Sequence, residues 1–236
     1  MANFNTHISV AFLASSVAAL IVYKAGMLSA PEFLLCTVVG TLGGLLPDID
    51  LDHSVPAQVG FNVISLLVAF GMVVYWVGVL SVVTLMALWV LTYVSMRWGV
   101  FRLFNTLTSH RGIVHSVPYM FAVAMLVVYG CFYGLKYGAV FSWFLGLFTF
   151  FGSMVHLVLD EIYSVNVFGL KLKKSFGTAL KFFSPSHTLW YAVLYGLIVI
   201  MLIFAPPRHV FWQNLTDPMT WLLLKKAFLP TGFVNV

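Results

Sequence analysis

The chain of 236 residues carries seven carboxylates, and five of them fall into two short segments, Asp48/Asp50/Asp52 and Asp160/Glu161. Carboxylates bunched in this way repel one another and are costly to desolvate, so they persist only beside a cation, a proton or a basic partner. Six of the seven histidines belong to the same set of segments: His7, His53, His110, His115, His156 and His187. Imidazole mixed with carboxylate is the ligand set of Zn²⁺ and similar divalent ions, whose charge turns that repulsion into coordination. His156 and Asp160 are four residues apart, which stacks them on one face of a helix one turn from each other, as two ligands of one ion require. The plain alternative is a helix-end histidine beside an interfacial carboxylate. Glu161 points elsewhere on that helix, where it supports the ligands from outside, bridges ions or is simply solvated.

The other chemistry-bearing residues sit in turns. In Pro47-Asp48-Ile49-Asp50-Leu51-Asp52-His53 alternate residues are acidic just after an apolar run, so an extended chain can aim several oxygens at one place. Asp48 and Asp50 are the expected ligands, while Asp52 and His53 fit a solvated loop equally well. The glycine and the closing glutamate of a calcium loop are absent. Ser109-His110-Arg111-Gly112-Ile113-Val114-His115-Ser116 places two histidines around a glycine that must turn the chain if both are to face inward, with Ser116 as the expected N-cap of the next helix. Arg111 is a fork-shaped permanent cation suited to a phosphate or carboxylate, or else a topology anchor. His7 opens the first apolar run. Ser184-Pro185-Ser186-His187 reads as a helix start, and His187 either joins the site or caps the helix.

The elements that must position these groups are set by composition. Apolar residues make up 61% and charged residues 8%, against about 45–50% and about 25% in an average soluble domain. That excludes a soluble enzyme, a disordered chain and, with Cys36 and Cys131 both inside apolar runs, a disulfide scaffold. Spans of about 20 apolar residues are expected at 8–28, 33–47, 59–77, 79–96, 117–135, 138–159 and 188–205. The expected fold is therefore all-α, one polytopic membrane helix bundle over residues 1–236, with about seven transmembrane helices. The second span is short and holds Gly40, Gly43 and Gly44, small residues that let helices approach closely. The first lysine is Lys24, so the opening run reads as a retained span and not a signal peptide. The tail over 211–229, with Trp212, Trp221, Lys225 and Lys226, suits the membrane interface. A net charge of +5 is not accompanied by an aromatic-spaced basic stripe, so there is no nucleic-acid signal.

Threading these spans alternately through a bilayer brings every polar cluster to one side. That side also collects Arg97, Arg102, Arg111, Lys171, Lys173, Lys174 and Lys181, against Lys24, Lys136 and Arg208 opposite. By the positive-inside rule the shared side is cytoplasmic.

With these residues in view, the sequence resembles the YdjM-like family of bacterial inner-membrane proteins, described as LexA-binding, membrane-associated, metal-dependent hydrolases. The resemblance is carried by Thr6-His7, Pro47-Asp48-Ile49-Asp50, His110-Arg111-Gly112-Ile113-Val114-His115-Ser116 and His156-Leu157-Val158-Leu159-Asp160. The family in turn is distantly similar to the zinc-dependent phospholipase C and single-strand nuclease superfamily. This resemblance implies His7, Asp48, Asp50, His110, His115, His156 and Asp160 as metal ligands and a bacterial inner-membrane location. The expected cofactor is a divalent metal, zinc first, roughly one to three ions, a number the resemblance does not set because that superfamily uses its processed N-terminal residue as a ligand and six residues precede His7 here. It also implies LexA as a partner. The expected function is a hydrolase at the cytoplasmic membrane face acting on a phosphoester such as a phospholipid headgroup. Arg111 would stabilise charge on a phosphoryl oxygen, and Asp50 or Glu161 would serve as base. The alternatives are a divalent-metal transporter or sensor, for which midplane ligands are the usual sign, and a membrane protein that binds a partner without catalysis.

Overall fold

Backbone polar groups have no water to bond in the core of a bilayer, so a chain this apolar folds into helices that satisfy them internally. In the computed structural model, which describes residues 4–50, 55–100, 113–166, 171–172 and 180–228, the helices are α1 (Phe4–Lys24), α2 (Ala30–Gly43), α3 (Val55–Trp76), α4 (Val82–Val94), α5 (Val117–Tyr129), α6 (Ala139–Ser164), α7 (Thr188–Ile203), α8 (His209–Thr216) and α9 (Pro218–Phe228). Pro31, Pro56, Pro118 and Pro218 each stand in the first turn of a helix, and Pro185 opens the tight turn that leads into α7. There the missing N–H costs nothing. α2 is further started by Glu32, whose carboxylate accepts from both the backbone N–H and the hydroxyl of Ser29 at 2.7 Å.

Among the described residues six helices are long and apolar enough to cross a membrane, counting the short turns that extend α2, α4, α5 and α7. The seven spans read from sequence are thus an approximate count; α3, with 22 residues, stands where the third was placed. Large apolar side chains such as Val82, Val83 and Leu189 are more than two-thirds exposed, as suits helices that face lipid.

The chain divides into two compact units, residues 1–47 with 115–236, and residues 48–114. In the first, α2 packs against α1 and α6, and α5 against α6. Glycines set these distances: a Cβ on Gly152 would fall on the Gly40 carbonyl oxygen, one on Gly43 on the Thr149 backbone, and one on Gly44 on the Ala11 methyl. Helices in lipid associate by close packing of this kind. The second unit holds α3 and α4. Tyr93 Oη (3.4 Å) and Arg97 Nε both donate to Asn62 Oδ1, and the Arg97 guanidinium lies 6.0 Å from the centroid of the exposed Trp98 ring, an aromatic and cationic rim typical of a helix end at the headgroups.

The end of α7 is fastened by three aromatic donors. Tyr129 Oη donates to the Met201 carbonyl at 2.7 Å, Tyr133 Oη to Phe204 at 3.4 Å and Trp143 Nε1 to Pro206 at 3.3 Å. These carbonyls lie where a helix end lacks its own donors. Tyr129→Phe is accordingly expected to lower stability by about 1 kcal/mol, measured as a reduced midpoint of thermal unfolding in detergent. The tail departs from a purely interfacial strip: Phe211 is 4% exposed and packs edge-on against Phe144 at 5.1 Å. An aromatic ring with a matching pocket gains more from burial than from the interface. Trp212 and Trp221 remain more than half exposed.

Candidate metal centre

Two helices of the first unit build the centre. His7 lies one turn into α1, and His156 and Asp160 lie in the last third of α6. One ligand atom from each comes within 4.8 Å of the others, and all three residues are buried. His7 Nε2 stands 3.4 Å from Asp160 Oδ1, and His156 Nε2 stands 3.5 Å from Asp160 Oδ2. The two imidazoles are stacked, with centroids 3.7 Å apart and planes 13° from parallel.

The local fold dictates this arrangement. The buried stripe of α1 is His7, Ala11, Ser15 and Ala19, one residue per turn, so the face that carries His7 is the face pressed on the glycines of α2. On α6, Thr149, Gly152, Ser153, His156 and Asp160 share the buried face. The break after Gly43 frees α2 carbonyls, and the Gly44 carbonyl bonds His156 Nδ1 at 2.7 Å. A carbonyl only accepts, so Nδ1 carries a proton and Nε2 is the nitrogen that faces Asp160, the arrangement in which an outer partner orients a histidine toward an ion.

The cluster gathers one carboxylate and two imidazoles, all buried. Among the described residues neither Asp160 oxygen accepts a hydrogen bond, and 3.4–3.5 Å exceeds the usual N–H···O range of about 2.7–3.2 Å. A buried carboxylate left so is strongly unfavourable. Protonating both imidazoles would place two cations face to face. A divalent ion resolves both problems, because ligand atoms about 2.0–2.1 Å from a tetrahedral centre stand about 3.3–3.4 Å apart. The donor set therefore fits zinc.

The remaining sequence candidates are placed as follows. The His115 ring is edge-on to His156, with centroids 6.3 Å apart. It is held there because the next residue, Ser116, pairs with Lys181, whose carbonyl accepts from Val117 N–H at 3.1 Å. Asp48 is 9% exposed in the tight turn Leu46–Asp50 and belongs to the second unit. Asp50 shares that turn, but its side chain, like Asp52, His53, His110 and Arg111, lies outside the described residues. Glu161 is half-buried and stands outside the three-residue cluster. His187 bonds Ser186 Oγ at 2.7 Å at the start of α7, also outside the cluster. Sequence reasoning missed the Gly44 carbonyl; the only hint was a glycine pair before Pro47, where a helix must end.

The family model of the YdjM inner membrane protein matches residues 1–172. The chain belongs to this family. The matched stretch contains His7, Asp48, His115, His156 and Asp160, so the cluster is part of the family's own region and not an addition to it. With its membrane-length helices the chain is an integral membrane protein of an inner-membrane family. No curated protein and no solved structure matches it.

Proposed function

We propose that the protein is a metal-dependent hydrolase of the cytoplasmic membrane face, acting on a phosphoester, with a phospholipid headgroup as the favoured substrate. The observation that carries this reading is the buried Asp160 carboxylate, faced by two imidazole nitrogens at 3.4 and 3.5 Å with no hydrogen-bond donor of its own.

His7, His156 and Asp160 would hold the ion and His115 stands beside them, while Asp48 remains a ligand candidate by the sequence pattern alone. When bound, a zinc ion supplies Lewis-acid polarisation and lowers the pKa of water to about 7. The chain's own groups do the rest. The Gly44 carbonyl keeps the His156 ring in one tautomer and one orientation. Arg111 is assigned to a phosphoryl oxygen by its planar fork, and Asp50 or Glu161 to accepting the proton of the attacking water. Lys171, Lys173, Lys174 and Lys181 would draw anionic headgroups, each by about 1 kcal/mol near the surface. The site's position near helix ends, not mid-helix, favours surface chemistry over passage across the bilayer.

The test is elemental analysis of detergent-purified protein together with a panel of phosphodiester and phosphomonoester lipids and nucleotides. Bound zinc and hydrolysis lost on Asp160→Asn are expected. Zinc-loaded protein inert to the whole panel would overturn the reading. Metal uptake into proteoliposomes that depends on Asp48 would replace it with transport.

A further inference from the structure

The α2 terminus offers α6 two consecutive carbonyls. Gly44 takes the Nδ1–H of His156, and Gly43 takes the hydroxyl of Ser153 at 2.9 Å, three residues and just under one turn earlier on α6. We infer that Ser153 is a positioning residue, which fixes the Gly43–Gly44 peptide so that the next carbonyl is aimed at His156 and His156 Nε2 at Asp160. The inference rests on the metal-centre reading.

Sequence explains why this carbonyl is there to be gripped. In a continuing helix the Gly43 oxygen would accept from the residue four positions on, which is Pro47, and proline has no N–H. Ser153 supplies a donor instead. Its single proton has two acceptors at 2.9 Å, Gly43 and its own helix's Thr149, and Thr149 already has its helical N–H partner, so Gly43 is the needier of the two.

The bond is also unlike its neighbours. The other serine and threonine hydroxyls of α6 turn back along the chain that carries them: Ser142 to Gly138, Thr149 to Leu145 and Ser164 to Glu161. Ser153 alone among them reaches a second helix. It can do so because Gly152 and Gly43 let the two backbones touch, where a Cβ on either would strike main chain. A one-carbon arm spans the gap, at a residue with no exposed surface. The chain of contact runs from Gly43 to Ser153, and by the adjoining peptide from Gly44 to His156 and Asp160.

A comparison of Ser153→Ala with Thr149→Val tests this. Both delete a buried hydroxyl on the same face of α6, but only the first frees Gly43. Zinc affinity by chelator competition should fall about 10-fold in Ser153→Ala, the lower end of the range for loss of an outer partner of a metal ligand because Ser153 acts through that partner, and by less than about twofold in Thr149→Val. The visible spectrum of the cobalt(II)-loaded protein should shift in the first variant alone. Nitrogen-15 NMR of histidine in metal-free protein should show His156 as the Nδ1–H tautomer in the wild type and Thr149→Val, and as a mixture in Ser153→Ala. Equal losses in the two variants, or an unchanged tautomer and affinity in Ser153→Ala, overturn the inference. Wild-type protein that takes up no metal defeats the metal-centre reading instead, and the tautomer then decides the role of Ser153 by itself.

Discussion

Replacing His156 by alanine is expected to leave the purified protein without zinc, with affinity reduced by more than the about 100-fold that marks loss of an outer partner. The residue acts twice, as an Nε2 ligand facing Asp160 at 3.5 Å and as the Nδ1 donor to Gly44 at 2.7 Å. Removing the ring therefore deletes a ligand and also leaves a buried carbonyl without its donor, which costs about 1–3 kcal/mol. Asp160→Asn separates the two effects. The amide keeps the shape of the carboxylate and leaves the His156–Gly44 bond in place, but it withdraws the negative charge the ion needs, so affinity should fall while the helices stay packed. Chelator competition and elemental analysis read the first quantity, circular dichroism and thermal unfolding the second. Stoichiometric zinc in His156→Ala would remove His156 from the ligand set.

The second large effect is expected from a single methyl group. Gly152→Ala should lower the thermal midpoint sharply, because the added Cβ would coincide with the Gly40 carbonyl oxygen and lie against the Gly44 nitrogen. Overpacking commonly costs about 1–3 kcal/mol when side chains can yield. Here the obstacle is main chain on a neighbouring helix, so the cost belongs at the upper end or above, and metal binding should fail with it because Gly44 and His156 are displaced together. Gly196→Ala on α7 is the control. Nothing lies within 4 Å of its Cβ position, and alanine there gains about 0.5–1 kcal/mol of helix preference. A Gly152→Ala protein as stable as the Gly196→Ala protein would show that α2 and α6 do not touch as described.

Much of this was legible in the residues themselves. Apolar runs with prolines only in their first turns or at their ends announce membrane helices, and the four-residue spacing of His156 and Asp160 puts both on one face whatever the surroundings. His7 was a weaker inference: an isolated histidine joins a distant pair only by sharing its side of the membrane, and the structure brings it to 3.4 Å from Asp160. Three things could not be read. The partner of His156 Nδ1 is a backbone carbonyl, which has no sequence signature. Ser153 looks like any small residue on a helix face until the second helix is in place. Phe211 resembles the interfacial aromatics around it, and only the Phe144 ring opposite distinguishes it. The number of spans was approximate because hydropathy alone does not say where one helix stops and a helical turn begins, as at Gly130–Gly134 after α5.

Phe211 lies well past residue 172, where the family match ends, yet it belongs to the same buried cluster as Phe144, Leu145 and Phe148 of α6. The region shared with the family thus contains a socket whose stopper is encoded further along, and the carbonyls at 201, 204 and 206 that accept from Tyr129, Tyr133 and Trp143 bring the intervening chain to it. The matched portion is not an autonomous module: severed at its boundary, it would keep its histidines and aspartate but leave an aromatic hollow uncovered beside Phe144.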